Sequence, residues 1–232
     1  MEPTALVIGA SSGIGLEIAK LLSRKGYRIG LAARRRELLD AYAATDPRVA
    51  CVETMDIAAS DSVEKFNELV RKLGTVDFVY LSSGVGYLNE ALAWDLEGKT
   101  INTNVTGFAR LCGEAIRLFE SQRWGHLVGL SSIAALRGSA EAPAYGASKA
   151  FISRYLQALR FRVKKSRLPI YVTDVRPGFV DTAMMKADSP FWVATPQKAA
   201  QQIVAAAERR RGVVYVTRRW SLIAALLKFL PD

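Results

Sequence analysis

The amino-acid sequence predicts an α/β fold: a single doubly wound domain whose seven-stranded parallel sheet is flanked by helices. Three observations carry this expectation. Short runs of β-branched and apolar residues alternate with stretches of helical periodicity, the pattern of strands joined by helical crossovers. No Pro-, Gly- or Ser-rich linker divides the chain, so residues 1–232 read as one domain. Half of the residues are hydrophobic and 23% are charged, which supplies one large core and argues against a disordered or repetitive chain.

The elements follow in order. A first strand, 5–8, leads into a glycine-rich turn and a helix on which Ile14, Ile18, Leu21 and Leu22 fall at helical spacing. The second strand, 27–32, runs into Arg34-Arg35-Arg36, and the third, 49–53, into Asp56-Ile57. Ser60 or Asp61 then caps a helix with Phe66, Leu69, Val70 and Leu73 on its inner face. The fourth strand, 76–81, ends in Ser82-Ser83-Gly84-Val85-Gly86, and the fifth, 126–130, in Ser131-Ser132. A long helix over 145–165 precedes the sixth strand, 170–175, and the seventh, 213–216, precedes an apolar tail, 218–232. Ligands of such sheets lie at the carboxyl ends of the strands, near the reversal of strand order, so the residues just after strands are the candidates.

A net charge of +10 favours anionic partners: a phosphorylated cofactor, an anionic membrane surface or nucleic acid. The basic clusters at 34–36, 164–165, 209–211 and 218–219 are not interleaved with aromatics and read as solvated helix ends, so no nucleic-acid partner is expected. Cys51 and Cys112 have neither metal-ligand nor redox spacing and are expected to be reduced core residues. His126, at a strand start, is expected to be structural, and no metal site is expected. Residues 1–4 enter the first strand without a basic n-region or cleavage site, so the expected location is cytoplasmic. The apolar run 220–230 is broken by Lys228 and is too short to cross a bilayer.

The turn Gly9-Ala10-Ser11-Ser12-Gly13-Ile14-Gly15 lies between a strand and a helix N-terminus. Such a turn presents backbone N–H groups and a positive dipole end, with no Cβ to block a pyrophosphate, so it is read as a dinucleotide site. At the end of the second strand, where a carboxylate would bind the ribose of NAD, stand Ala33 and Arg34. A guanidinium there suits a 2′-phosphate and favours NADP, with NADPH preferred over NADH. The alternative for Arg34 to Arg36 is the solvated start of a helix, and for Arg35 the two readings balance.

Tyr145 and Lys149 are four residues apart and share one helix face. An ammonium beside a phenol stabilises phenolate and brings tyrosine toward the range of a working acid or base. The preceding Ser131-Ser132 offers a hydroxyl to a carbonyl. These residues, in the order Gly9 to Gly15, Asp56, Asn104-Val105-Thr106-Gly107, Ser132, Tyr145 with Lys149, and Arg176-Pro177-Gly178 with Thr182, resemble the short-chain dehydrogenase/reductase family in its single-domain, Rossmann-like branch. The resemblance covers 4–182 and implies the following roles. Tyr145 is the general acid or base, and Ser132, rather than Ser131, polarises the carbonyl. Lys149 bonds the nicotinamide ribose and lowers the tyrosine pKa, while Asn104, rather than Asn102, supports a water linking Lys149 to solvent. Asp56 and Ile57 meet the adenine, and Pro177, Gly178, Val180 and Thr182 pack on the nicotinamide. Where the family shows Asn-Asn-Ala-Gly this chain has Ser82-Ser83-Gly84-Val85. The turn remains small enough for Ser83 and Gly84 to approach the cofactor, but the bracing asparagine bonds are lost or replaced by hydroxyls.

Substrate choice is expected from a lid at 183–195, where Met184, Met185, Phe191 and Trp192 suit an apolar substrate, with Val85, Tyr87 and Ala142 as neighbours. The alternative is a surface loop anchored by its aromatics. In the tail, Ile223, Leu226, Leu227 and Leu230 form one stripe with Leu222 and Phe229 beside it. The stripe suits packing on the core or on another subunit, or peripheral contact with an anionic membrane. The expected function is an NADP(H)-dependent oxidoreductase that reduces an apolar carbonyl reversibly, as a homodimer or homotetramer. Alternatives are a dehydrogenase of a lipid-like or steroid-like alcohol, and an NADP(H)-binding redox sensor without turnover.

Overall fold

Apolar β-branched runs become strands: β1 (Thr4–Ile8), β2 (Arg28–Ala33), β3 (Val49–Thr54), β4 (Phe78–Leu81), β5 (Gly125–Leu130), β6 (Ile170–Pro177) and β7 (Val213–Val216). In the computed structural model, which describes residues 2–185 and 191–226, these form one sheet in the order β3-β2-β1-β4-β5-β6-β7, every pair parallel. All residues of β1 and β5 are buried, as continuous apolar strands covered on both faces should be. The strand order reverses between β1 and β4, and the candidate residues follow the carboxyl ends of these strands and their neighbours.

Helices cover both faces. On one, α3 (Ser62–Leu73), α5 (Phe108–Gln122) and α6 (Pro143–Ser166) enclose Phe66, Leu69, Phe108, Phe119, Ile152 and Leu156. On the other, α1 (Gly13–Arg24), α2 (Arg36–Ala43) and α7 (Pro196–Glu208) enclose Ile18, Leu22, Leu39, Ile203 and Val204. Two shorter helices, α4 (Trp94–Ile101) and α8 (Trp220–Leu226), lie at the rim. Between α4 and α5 the backbone widens into a π-turn over Asn102–Gly107, which periodicity did not indicate.

The expected boundaries hold to within two residues, and the departures have local causes. β4 starts at Phe78 because Asp77 is used in a turn, its carboxylate accepting from the Thr4 backbone N–H at 2.8 Å. β6 runs on to Pro177, which pairs with Val216 of β7. α6 begins at Pro143, whose fixed φ suits a first helical turn. Cys112 is buried and Cys51 partly so, and both are free thiols. His126 is buried in the sheet, stacked on Phe78 and bonded to Thr173 Oγ1 at 2.8 Å.

The tail meets the chain's own core through residues outside the expected stripe. In its described part Trp220 and Ala224 are buried against the chain's own core, Ile223 is half-buried, and Leu222 and Leu226 are exposed. The indole, the largest apolar group available there, finds a surface beside Gly178 and turns the helix toward it. Residues 186–190 of the lid, and 227–232 of the tail with Leu227, Phe229 and Leu230, lie outside the described residues. Among the described residues no helix is long and apolar enough to cross a membrane.

Candidate active site

The glycine loop is held by close backbone approach. Gly9 has φ +92°, and a Cβ there would lie 2.6 Å from the Ser83 backbone nitrogen. A Cβ on Gly15 would lie 2.1 Å from the Gly9 carbonyl oxygen, so the first turn of α1 closes only with glycine. Thr182, arriving from the end of β6, places its methyl 3.2 Å from the corresponding point on Gly13. The segments that follow β1, β4 and β6 therefore meet at this loop, with Ser83 against Gly9 and Thr182 against Gly13. A Cβ on Gly84 would be 3.3 Å from Asn104 Oδ1 and 3.4 Å from Lys149 Nζ.

The basic residues after β2 differ in what they touch. Arg34 is exposed. Arg35, at the N-terminus of α2, donates from its guanidinium to Ser11 Oγ at 2.9 Å and Ser12 Oγ at 2.6 Å. A cation thus stands over the two hydroxyls of the loop. The third strand's Asp56 folds its carboxylate back onto the Ala58 N–H at 3.0 Å, while Ile57 is buried in the core, its carbonyl pressed where a Cβ of Gly107 would be, 2.3 Å away. Gly107 is the only residue type that lets the π-turn pass this point.

The candidate catalytic side chains gather at the ends of β4 and β5. Ser132 follows β5, and its hydroxyl accepts from Ala134 N–H at 3.1 Å while interacting with the Tyr145 phenol. Ser131 is turned into the sheet, bonded to Asp174 and to the Val175 carbonyl at 3.0 Å. The two neighbouring serines therefore face opposite ways, and Ser132 is the one that faces the tyrosine. Lys149, buried one turn beyond Tyr145, donates to the Leu130 carbonyl at 3.1 Å and lies 5.7 Å from the tyrosine ring centroid.

Asn104 is fully buried inside the π-turn, whereas Asn102 is exposed. Its amide clamps Val85 on both sides, accepting from the Val85 N–H at 2.9 Å and donating to the Val85 carbonyl at 2.8 Å, and it donates to Ser148 Oγ at 3.0 Å. This answers the departure at Ser82-Ser83-Gly84-Val85: the loop is braced from α5's entry rather than by asparagines of its own. Gly86 closes the arrangement, because a Cβ there would stand 2.9 Å from the Tyr145 ring. Val85 is buried, and Tyr87 and Ala142 are half-buried.

Burial dominates the electrostatics. It pushes the Tyr145 phenol above its ordinary value of 10.0, partly offset by Ser132, and it pulls Lys149 from 10.5 down to about 8, against which the charge of Asp174 acts. At neutral pH the phenol is therefore protonated and the lysine is mainly ammonium. The lowering of the tyrosine by Lys149 is not a visible cause in this arrangement, in which the ammonium is turned to Leu130.

The chain's similarities agree with this geometry. Residues 3–191 match the short chain dehydrogenase family. The chain belongs to that family. The matched span contains every residue from Gly9 to Thr182 that the sequence nominated, and short-chain dehydrogenases are oxidoreductases of the CH–OH group. An uncharacterized oxidoreductase of Myxococcus xanthus (strain DK1622) is 37% identical over 202 residues, 83% of this chain and 79% of the relative. The 3-oxoacyl-[acyl-carrier-protein] reductase of Homo sapiens is 33% identical over 190 residues, 80% of this chain and 79% of the relative. A short-chain dehydrogenase from Sphingobium yanoikuyae, solved in complex with NADPH, superposes with a TM-score of 0.83 at 24% identity, covering 99% of this chain and 97% of that one.

In this short-chain dehydrogenase the sequence did not single out Phe179 and Trp220. Trp220 lies against Gly178, where a Cβ would be 2.0 Å from the indole, and its ring packs on Phe179, Phe191 and Trp192 at centroid distances of 5.5, 5.0 and 6.0 Å. The aromatics of the lid are thus anchored by the tail, and Gly178 is small because Trp220 occupies the space. Val180 is buried and bridges to Ala194, and Pro177 is held by β7, so both support the segment from beneath. No spacing signal links residues 42 positions apart, which is why Trp220 read only as part of a tail.

Proposed function

We propose that the chain is an NADP(H)-dependent carbonyl reductase, reversible as an alcohol dehydrogenase, acting on an apolar substrate with Tyr145 as the acid/base. The observation that carries the proposal is the convergence of Ser132, Tyr145, Lys149 and Asn104 at one end of the sheet, beside the glycine loop. The loop suits a dinucleotide: Gly9, Gly13 and Gly15 let it pack tightly into the N-terminus of α1, and Arg35 brings positive charge to its two serines. Arg34 and Arg35 together, with Ala33 where a carboxylate would stand, favour a 2′-phosphate and so NADPH over NADH.

When bound, the reduced nicotinamide supplies the hydride, and the protein supplies position and the proton. Ser132 donates a hydrogen bond to the substrate oxygen and so orients the carbonyl. Tyr145, kept protonated by burial, releases its proton to that oxygen as alcohol forms. Lys149, which carries most of its charge at neutral pH, stabilises the phenolate left behind. Asn104 acts by holding the Val85 backbone, and with it the loop against which Lys149 and Tyr145 pack.

Phe179, Phe191, Trp192 and Trp220 favour an apolar substrate and also support a second reading, a dehydrogenase of a lipid-like or steroid-like alcohol. Self-association as a dimer or tetramer, and a cytoplasmic location, belong to the same reading. The test is NADPH oxidation across aliphatic, aromatic, steroid and 3-oxoacyl carbonyls, with NADH in parallel and Tyr145→Phe as control. Turnover that prefers NADPH and falls at least about a hundredfold in the Phe variant is expected. Tight NADPH binding without turnover on any of these would instead favour a redox sensor.

A further inference from the structure

Asp174 lies within β6 and is wholly buried. A carboxylate withdrawn from water must be matched by donors, and three reach it from three elements. The Ser131 hydroxyl donates to Oδ1 from the end of β5; the Ser153 hydroxyl donates to Oδ2 from α6 at 2.8 Å; Arg176 donates through Nε to Oδ2 at 2.8 Å. Arg176 carries the network outward, donating to Ser153 Oγ at 2.7 Å and to the Tyr215 hydroxyl of β7 at 2.9 Å. Every member of this buried network is partnered.

Its position sets it apart from an ordinary buried ion pair. Ser131 is the immediate neighbour of Ser132, and Ser153 stands one helical turn beyond Lys149, which itself stands one turn beyond Tyr145. We propose that Asp174 is a positioning residue for the site: by joining Ser131 to Ser153 it fixes the strand end that carries Ser132 against the helix that carries Tyr145 and Lys149. Proton transfer requires the donor within hydrogen-bond reach of the reacting oxygen, and displacements near 1 Å cost about a hundredfold in rate. A tether between the two elements bearing the polariser and the acid is where such precision is set. Charge adds to geometry. The ionised groups facing Asp174 are Arg176 on its own strand and Arg160 and Lys149 on α6, with Tyr215 reached through Arg176, and Asp174 favours the ammonium of Lys149 against its burial.

The inference rests on the reading of Ser132, Tyr145 and Lys149 as the reacting set, so two readouts are needed. Ser153→Ala removes the helix leg of the tether and keeps the Asp174–Arg176 pair. Asp174→Asn keeps the shape and removes the charge. In both, kcat for carbonyl reduction should fall about 10- to 100-fold, while the KM for NADPH stays within about twofold. Independently of turnover, NMR of lysines labelled at Cε should place the Lys149 midpoint lower in Asp174→Asn than in the native chain and leave it in place in Ser153→Ala. Unchanged kcat in Ser153→Ala, or a loss of kcat matched by equal losses in NADPH affinity and melting temperature, overturns the proposal, as does an unmoved Lys149 midpoint in Asp174→Asn. Should Asp174→Asn not fold, Ser153→Ala decides on kcat alone. A native enzyme silent on every carbonyl would sink the catalytic reading, and the Lys149 midpoint would still decide the link to Asp174.

Discussion

Arg34 and Arg35 stand side by side after β2, and which one serves the cofactor is a question about side-chain direction. Sequence position favours Arg34, as the residue directly following the strand-end alanine. Both are exposed, and Arg35 is turned onto Ser11 and Ser12. Hydrogen bonds to a charged partner contribute about 1.5–3 kcal/mol, so Arg35→Ala should raise the KM for NADPH by about 10- to 100-fold and leave that for NADH nearly unchanged, with Arg34→Ala the weaker variant. Steady-state kinetics with both cofactors check this, and equal losses for NADH and NADPH would remove the 2′-phosphate role. Tyr145 and Lys149 were legible as a pair because helical spacing alone puts them on one face. The choice of Ser132 over Ser131 was given by resemblance, and its physical basis is the turning of Ser131 toward Asp174.

At the scale of elements, α1 and α3 were legible because amphipathic periodicity extends over several turns of each. The π-turn over Asn102–Gly107 was not, because nothing in local propensity distinguishes one extra residue in a turn from a regular helix. Its cause is tertiary: Asn104 must reach Val85 while Gly107 passes the Ile57 carbonyl. The short helix α8 read as a stripe of Ile223 and Leu226 for the core, a partner subunit or a membrane; within this chain it buries Trp220 and Ala224. Replacing a buried tryptophan with alanine removes its transfer energy and leaves a cavity, costing about 3–5 kcal/mol. Trp220→Ala should therefore lower stability by about that amount in urea titration and loosen Phe179 and Phe191, raising the KM for bulky apolar carbonyls more than that for small ones. Equal effects on large and small substrates would show that the aromatic cluster supports the fold without shaping substrate choice.

Across the whole molecule, pH stability should reflect the sheet as much as the site. His126 is buried between β4 and β6, where desolvation and the charge of Arg210 pull it from 6.5 down to about 3. Between those values the unfolded chain binds a proton that the folded chain refuses. This contribution is therefore fully present above pH 6.5 and falls as the pH drops, by about 3 kcal/mol at pH 4.5. Urea midpoints at pH 7 and pH 4.5 should differ less in His126→Gln than in the native chain, and an equal difference in both would exclude His126 as the source.

The sequence by itself determined the seven strands, their alternation with helices, the glycine loop and the Tyr145–Lys149 pair, because each is written in the spacing of near neighbours. Only the tertiary structure decided that Arg35 crosses to Ser11, that Asn104 braces Val85, that Trp220 fills the space beside Gly178, and that Asp174 joins Ser131 to Ser153. Each of these joins residues 19 to 43 positions apart. Such contacts exist only because the strand order β3-β2-β1-β4-β5-β6-β7 brings the carboxyl ends of distant strands side by side, and no local pattern encodes that order.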